Sequence, residues 1–463
     1  MRVVAVIIAW TLLTIGCKSK TQAQKDKTED IHSNALSFDV EQMTEADKAR
    51  YQKVLSDFFD SALIRRGFNG GILIAKGGNV LYESYHGFQD PNRKSDTINA
   101  QTQFHLASTS KPFTAVTVLK LVQAGKIGLQ DPVTRYFPAF PYPAVTVEQL
   151  LSHRSGLPNY LSVMEDKTKW NPKQMISNDD VLRFLEQYKP VPMFKAGSRF
   201  AYCNTNFVLL ALIVEHVTGK KFPQYVKETI FEPLQMNHSF VYTPADSGHV
   251  IMSYKPSGAL WVNDQFDNTY GDKNVYSTPE DMFKWDRALY NPSFIRQSLL
   301  DSAYQPHSHE KPSIHNYGLG WRMLNLPNGK NVIYHNGKWH GFTPAFGRLL
   351  DEKAVIIILG NKMNSNMYNM ARKAYDFFGD YMQNRVSGGE EETESRTAAA
   401  TAMPESTVKP APRPAKKTVK PAPAKPSRTS GKSTAKKQIK KAPEKKAAPA
   451  KKKVTATKKK TKK

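Results

Sequence analysis

The apolar runs that read as β-strands fall in two groups near opposite ends of the chain, with roughly 240 residues between them. The upstream group is a hairpin, "ILIAK" (Ile72–Lys76) and "VLYESYHGF" (Val80–Phe88), with Gly77–Asn79 as its tight turn. The downstream group is "NVIYH" (Asn331–His335), "PAFGRLL" (Pro344–Leu350) and "AVIIILG" (Ala354–Gly360), with Asp351–Lys353 turning between the last two. Tight turns require antiparallel neighbours. "AVIIILG" is apolar at every position, as a central strand covered on both faces would be.

The simplest fold that joins the groups is one central antiparallel sheet built from both ends of a domain, of the mixed α/β (α+β) class. A helix over about Thr44–Arg66 precedes it, with Tyr51, Val54, Leu55, Phe58, Phe59, Ala62 and Leu63 on one face and Asn69-Gly70-Gly71 closing it. A second helix, about Asn366–Gln383, follows it. Both should flank one face of the sheet, and the long insertion should form a mostly helical lobe on the other. A cleft is expected where lobe and sheet meet.

The two termini differ from this body. Of the formal charge of +25, residues 409–463 hold 22 Lys and Arg against one acid, Glu444, a net +21 that leaves about +4 for everything else. This Lys/Pro/Ala-rich tail, 386–463, has too little apolar surface to offset its chain entropy and is expected to be disordered. Dense flexible cations bind polyanions without sequence preference, so anionic envelope polymers or nucleic acid are its expected partners. At the other end Arg2, the apolar run Val3–Ile15 and "TIGC" resemble a lipoprotein signal, 1–17, ending at a lipidated Cys17. Residues 18–40 read as a polar tether, and 41–385 as the folded domain. Cys203 is the other cysteine, so a lipidated Cys17 leaves no intramolecular disulfide.

The chemistry begins at "STSKPF". Ser108 and Lys111 are three apart, one turn apart on a helix face, and Pro112 suits a first turn. Phe113, Val116, Leu119 and Val122 would be the buried face, with Gly125 as the stop. A serine at a helix start beside an amine that takes its proton is an activated nucleophile. Taken alone, the same residues also describe an N-cap and a solvated lysine.

The segment "FHLASTSKPFTAVTVLKLVQAGKIGLQDPVTRYFP" resembles the serine β-lactamase-like superfamily of class C β-lactamases, D-alanyl-D-alanine carboxypeptidases and related esterases. The likeness continues, in order, through "VTVEQLLSHRSGLPNY", "FAYCNTNFVLLALIVEHVTGKKF", "GDKNVYSTPEDMFKW", "YGLGWRM" and "YHNGKWHGF", from about Phe38 to Gln383. It implies a β-lactamase/transpeptidase-like fold, with Ser108 as the acylated nucleophile. Lys111 and Tyr202 would share its proton network, and Asn204 would hold the substrate amide and orient Lys111. His335, Gly337 and Lys338 would form the third motif, with the N–H groups of Ser108 and Lys338 as the oxyanion site. No metal or organic cofactor is implied.

True β-lactamases usually carry lysine where this chain has His335, which favours a peptidase or esterase acting on small peptides or esters. A class C-like β-lactamase and a catalytically silent envelope scaffold are the competing readings. Cys203 reads as a buried apolar residue, His105 as packed, and "HSHE" (His307–Glu310) as a solvated loop, because its spacing is not that of a helical ligand pair.

Overall fold

The computed structural model describes residues 38–383; the expected signal 1–17, nearly all of the tether 18–40 and the tail 386–463 lie outside the described residues. Seven strands form one antiparallel sheet: β1 (Gly70–Lys76), β2 (Asn79–His86), β3 (His315–Tyr317), β4 (Arg322–Asn325), β5 (Asn331–Asn336), β6 (Ala345–Leu349) and β7 (Ala354–Gly360). Their order is β2-β1-β7-β6-β5-β4-β3. The two ends of the domain meet at its centre, with Gly70 opposite Gly360 and Lys76 opposite Ala354. The short strands β3, at the edge, and β4 beside it, which flank the "YGLGW" segment, are too brief for periodicity to reveal.

All seven residues of β7 are buried, and their alternation divides the core. Ala354, Ile356 and Ile358 face the terminal helices, α1 (Glu45–Ala62) among them, while Val355, Ile357 and Leu359 face the lobe. Each such isoleucine contributes about 2 kcal/mol by leaving water. Thr44 caps α1 by accepting the Asp47 N–H. The helix ends earlier than its pattern suggests: a 3₁₀ turn over Ile64–Arg66 and a left-handed Gly67 terminate it, and Gly70 and Gly71 open β1. The Phe38 ring packs on Phe283 at 6.5 Å.

The lobe is built around two buried helices, α2 (Lys111–Gln123) and α3 (Asn204–Thr218). Ten residues of each are buried, so neither is amphipathic in the usual sense; each is enclosed on all sides. Val122 of α2 is only half-buried. Helix α4 (Pro279–Ala288) bridges lobe and sheet. Its Trp285 stacks on Phe113 at 4.3 Å, and its Asp286 accepts from Arg348 Nε of β6 at 2.6 Å. Arg348 is fully buried and also donates to the Tyr304 hydroxyl. The last helix, α5 (Met367–Lys373), passes into a 3₁₀ turn ending at Phe377 instead of running to Gln383. There the Asp376 carboxylate takes the N–H groups of Tyr381 and Gln383 and folds the end back. Among the described residues no helix is long and apolar enough to cross a membrane.

Asp286 is the carboxylate that compensates a buried guanidinium. Asp286→Ala should therefore lower stability by about 3–5 kcal/mol, seen as a large fall in the thermal midpoint. A midpoint within a degree or so of the parent's would show that Arg348 does not depend on this pair.

Candidate active site

Ser108 is presented by a turn that its neighbours hold. The chain leaves a short strand at Phe104–His105, passes through Ala107 at φ 47° and enters a 3₁₀ turn, Ala107–Ser110, that runs straight into α2. A left-handed alanine costs on the order of 1 kcal/mol, so something must hold it. His105 does. Its Nδ1 accepts the Ala107 N–H at 3.0 Å, which leaves the proton on Nε2 to donate to Asn274 Oδ1 at 2.7 Å. The hydroxyls of "STS" then divide. Thr109 donates to the His335 carbonyl at 3.0 Å, and Ser110 accepts the Val275 N–H at 3.0 Å. Ser108 alone of the three meets Lys111, and it stays half-buried beside it.

Lys111 has no exposed surface. Its Nζ is bonded to three oxygens: Ser108 Oγ at 3.1 Å, Asn204 Oδ1 at 2.8 Å and the Asp272 carbonyl at 2.8 Å. Burial pulls the amine down to about 7, while the Asp272 carboxylate opposes that shift and Arg322 adds to it. The two carbonyl oxygens can only accept, whereas a hydroxyl can also donate. A neutral amine, with two N–H groups, would give both to the carbonyls and turn its lone pair to Ser108. The arrangement therefore prepares Lys111 to receive the serine proton.

Asn204 opens α3 without capping it; Cys203 occupies the cap position and makes no side-chain bond there. Thr205 is also diverted, accepting from the Tyr160 N–H and donating to the Pro158 carbonyl. Forgoing a cap costs about 1 kcal/mol. The return is an asparagine oxygen fixed on Lys111. The ring of Tyr202 lies 4.8 Å from Lys111 Nζ and 5.1 Å from the Arg322 guanidinium. The His153 ring lies 4.3 Å from it, tilted by 38°.

His153 is a residue that sequence reasoning does not single out, although it lies in the "LLSHRSGL" segment. It is fully buried at φ 55°, and its Nδ1 accepts the Cys203 N–H at 3.1 Å. Burial and the nearby Lys111 keep it neutral, well below the usual histidine range. It thus carries the Tyr202 segment without placing a second cation beneath the phenol. Its neighbour Arg154 ties the same loop to the Gly197 and His307 carbonyls and pairs with Glu310. That use of Glu310 explains the "HSHE" loop: it is a structural latch.

The third motif closes the site. His335 is fully buried, held through Nδ1 to the Asn336 carbonyl at 2.8 Å and through Nε2 to the Tyr317 hydroxyl at 3.1 Å. Burial drives it well below its ordinary range, so it is neutral. It forms part of the floor and has no surface in the cleft. Gly337 passes so near the Ser108 turn that a Cβ there would lie 2.5 Å from the Leu106 carbonyl and 2.9 Å from Ala107 Cβ. The N–H groups of Gly337 and Trp339 donate to Pro344 and Phe342 across the pair. By strand alternation the intervening Lys338 N–H points the opposite way, while its side chain is exposed. The Ser108 N–H, at the start of a helical turn, has no intrahelical acceptor. Two N–H groups are thus available around the serine.

Cys203 is buried, and burial pushes its thiol up to about 11, which is unsuited to a nucleophile. His105 falls to about 4 and is packed. Among the described residues, the side chains close enough to share a metal are Asp264, Asp267 and His340, within 4.8 Å of one another. Asp267 already accepts from Trp339 Nε1 at 2.6 Å and contacts His340 Nε2 at 2.9 Å.

Comparison with known proteins agrees with this fold. The Beta-lactamase family model matches residues 55–380. The chain belongs to the Beta-lactamase family. Penicillin-binding protein 4* of Bacillus subtilis (strain 168) is 32% identical over 340 residues, covering 70% of this chain and 75% of that protein. A penicillin binding protein from Bacillus halodurans superposes with a TM-score of 0.61 at 24% identity, over 70% of this chain and 98% of that one. A D-amino acid amidase from Ochrobactrum anthropi SV3, complexed with L-phenylalanine amide, gives 0.54 at 25% identity, over 68% and 91%.

Below about pH 7 Lys111 is an ammonium that can only donate; above it the amine can accept. Hydrolysis measured as kcat/KM on a neutral ester should therefore rise through about pH 7 and level off. The unfolded chain holds a proton here that the folded one releases, so this group adds stability as pH climbs from about 7 toward 10.5. A pH–rate profile flat through neutrality would remove Lys111 as the proton acceptor.

Proposed function

We propose that the chain is a serine hydrolase acting through an acyl-enzyme on Ser108, with D-alanyl peptides, related D-amino-acid amides or small esters as substrates. The buried, near-neutral Lys111 amine 3.1 Å from Ser108 Oγ carries the reading. In the first half-reaction Oγ attacks the substrate carbonyl carbon, and its proton passes to the Lys111–Tyr202 pair. The carbonyl oxygen becomes an oxyanion held by the Ser108 and Lys338 N–H groups. The tetrahedral centre collapses, the leaving amine or alcohol takes the proton by way of Tyr202, and the acyl group stays on Ser108. Water then repeats the sequence and frees the acid.

The cation offered to a substrate carboxylate is not the lysine that true β-lactamases carry in the third motif, which favours a peptidase or amidase. His335 is neutral, so it supplies no cation for a substrate carboxylate. Arg322, one strand over and against the Tyr202 ring, does. The amidase likeness supports a D-amino-acid acyl group. We place this enzyme at the bacterial envelope, with Cys17 as its lipid anchor and the +21 tail holding anionic polymers or nucleic acid by counterion release.

Ser108→Ala should abolish fluorophosphonate labelling and leave the melting temperature nearly unchanged. Intact-mass detection of acyl adducts across D-Ala-D-Ala peptides, penicillins and esters identifies the substrate class. Arg322→Gln should raise KM for the carboxylate-bearing peptide and spare the neutral ester. A surviving label on the alanine variant would put the nucleophile elsewhere.

Truncation after Arg385 should leave hydrolysis of a soluble ester intact and elute the protein from a polyanion column at much lower salt. Loss of ester hydrolysis would make the tail part of the enzyme.

A further inference from the structure

A tryptophan stands immediately after the oxyanion donor, and the proton-transfer chemistry makes no use of it. Side chains at alternate positions of β5 and its extension share a face. His335 packs toward Tyr202 on that face, and Gly337 presses on the Ser108 turn. Trp339 is next in the series. By that alternation it continues along the strand past Gly337 and the Ser108 turn, away from His335 and the Tyr202 ring.

The orientation of Trp339 is locked. Its Nε1 donates to Asp267 Oδ1 at 2.6 Å, and Asp267 is itself only 8% exposed. The Lys273 ammonium sits 4.6 Å from the indole centroid, held there by the Tyr160 hydroxyl at 2.6 Å. The backbone turns back at once, with mutual hydrogen bonds between Trp339 and Phe342. The ring nevertheless remains half-exposed. A second indole, Trp261, extends the same wall through His340, at 5.9 Å between rings. Rigid aromatic surface whose only polar atom is already satisfied offers dispersion and stacking, and no further hydrogen bond.

The direction of the reaction says which half of the substrate meets it. Protonation by way of Tyr202 puts the leaving group on the Tyr202 side. The acyl half must therefore extend from the oxyanion site the other way, toward Trp339. We infer that Trp339, continued by Trp261, selects the acyl half of the substrate and selects an apolar or aromatic group there. This rests on Ser108 being the acylated residue. Trp339 acts by touching the substrate and takes no part in proton transfer.

The test compares 4-nitrophenyl phenylacetate with 4-nitrophenyl acetate, which share a leaving group and differ only in the acyl half. The parent enzyme should prefer the phenylacetyl ester in kcat/KM. Trp339→Ala should cut the phenylacetyl-to-acetyl ratio by about tenfold, within the range that pocket contacts give, and Trp339→Phe should restore most of it. A ratio unchanged in the alanine variant, with both rates falling together, would reduce Trp339 to a structural role. A parent enzyme with no preference would overturn the inference without any variant. Absence of Ser108-dependent hydrolysis of either ester would instead overturn the hydrolase reading itself.

Discussion

One buried amine organises this site. Lys111 is enclosed in the lobe, and an ammonium there would be costly without oxygens around it. The three oxygens come from three separate stretches of chain: the turn before α2, the start of α3, and the segment that precedes the Val275–Ser277 strand. Burial lowers the affinity of the amine for its proton, and the same three contacts keep it in place when the proton has gone. Stability and reactivity are therefore set by a single arrangement. The lobe cannot pack without bringing the Ser108 hydroxyl, the Lys111 amine and the Asn204 amide together.

The surrounding residues are arranged to keep that amine from having competing cations. His105, His153 and His335 are all buried near the serine, and all are held neutral by desolvation. Each is committed to a structural hydrogen bond: to Ala107, to Cys203 and to the Asn336 carbonyl. Arg322, the permanent cation, is set at one end of the site, against the face of Tyr202. Lys273, the other buried amine of this region, is turned away from Lys111 onto the Tyr160 hydroxyl and the Trp339 ring.

Much of this is legible in the amino-acid sequence, and what is not has physical reasons. The hairpin turn and "AVIIILG" announce a sheet made from both ends because strand alternation and tight turns are local signals. Ser108 and Lys111 are visible because helical spacing places them together and the segment around them resembles a known family; the spacing alone also fits a cap and a solvated lysine. Periodicity puts the end of α1 a few residues late, since Gly67 and Gly70 look alike in sequence and only packing shows which one caps. His335 can be identified but not its depth: the sequence does not say whether a strand residue faces the cleft or the floor. His153 and Asp272 are unreadable for another reason. Their roles depend on which segment lies against α2 and α3, and no local pattern encodes that.

The register of the sheet has a consequence for how the protein is made. Its central pairing joins Gly70 to Gly360, so the first hairpin has no partner until nearly the whole domain has been synthesised. Contacts this distant in sequence form slowly, because the intervening loop must first be closed. The sheet can therefore close only after the lobe between its two halves has been made, so the step that completes the core is also the last one the chain allows.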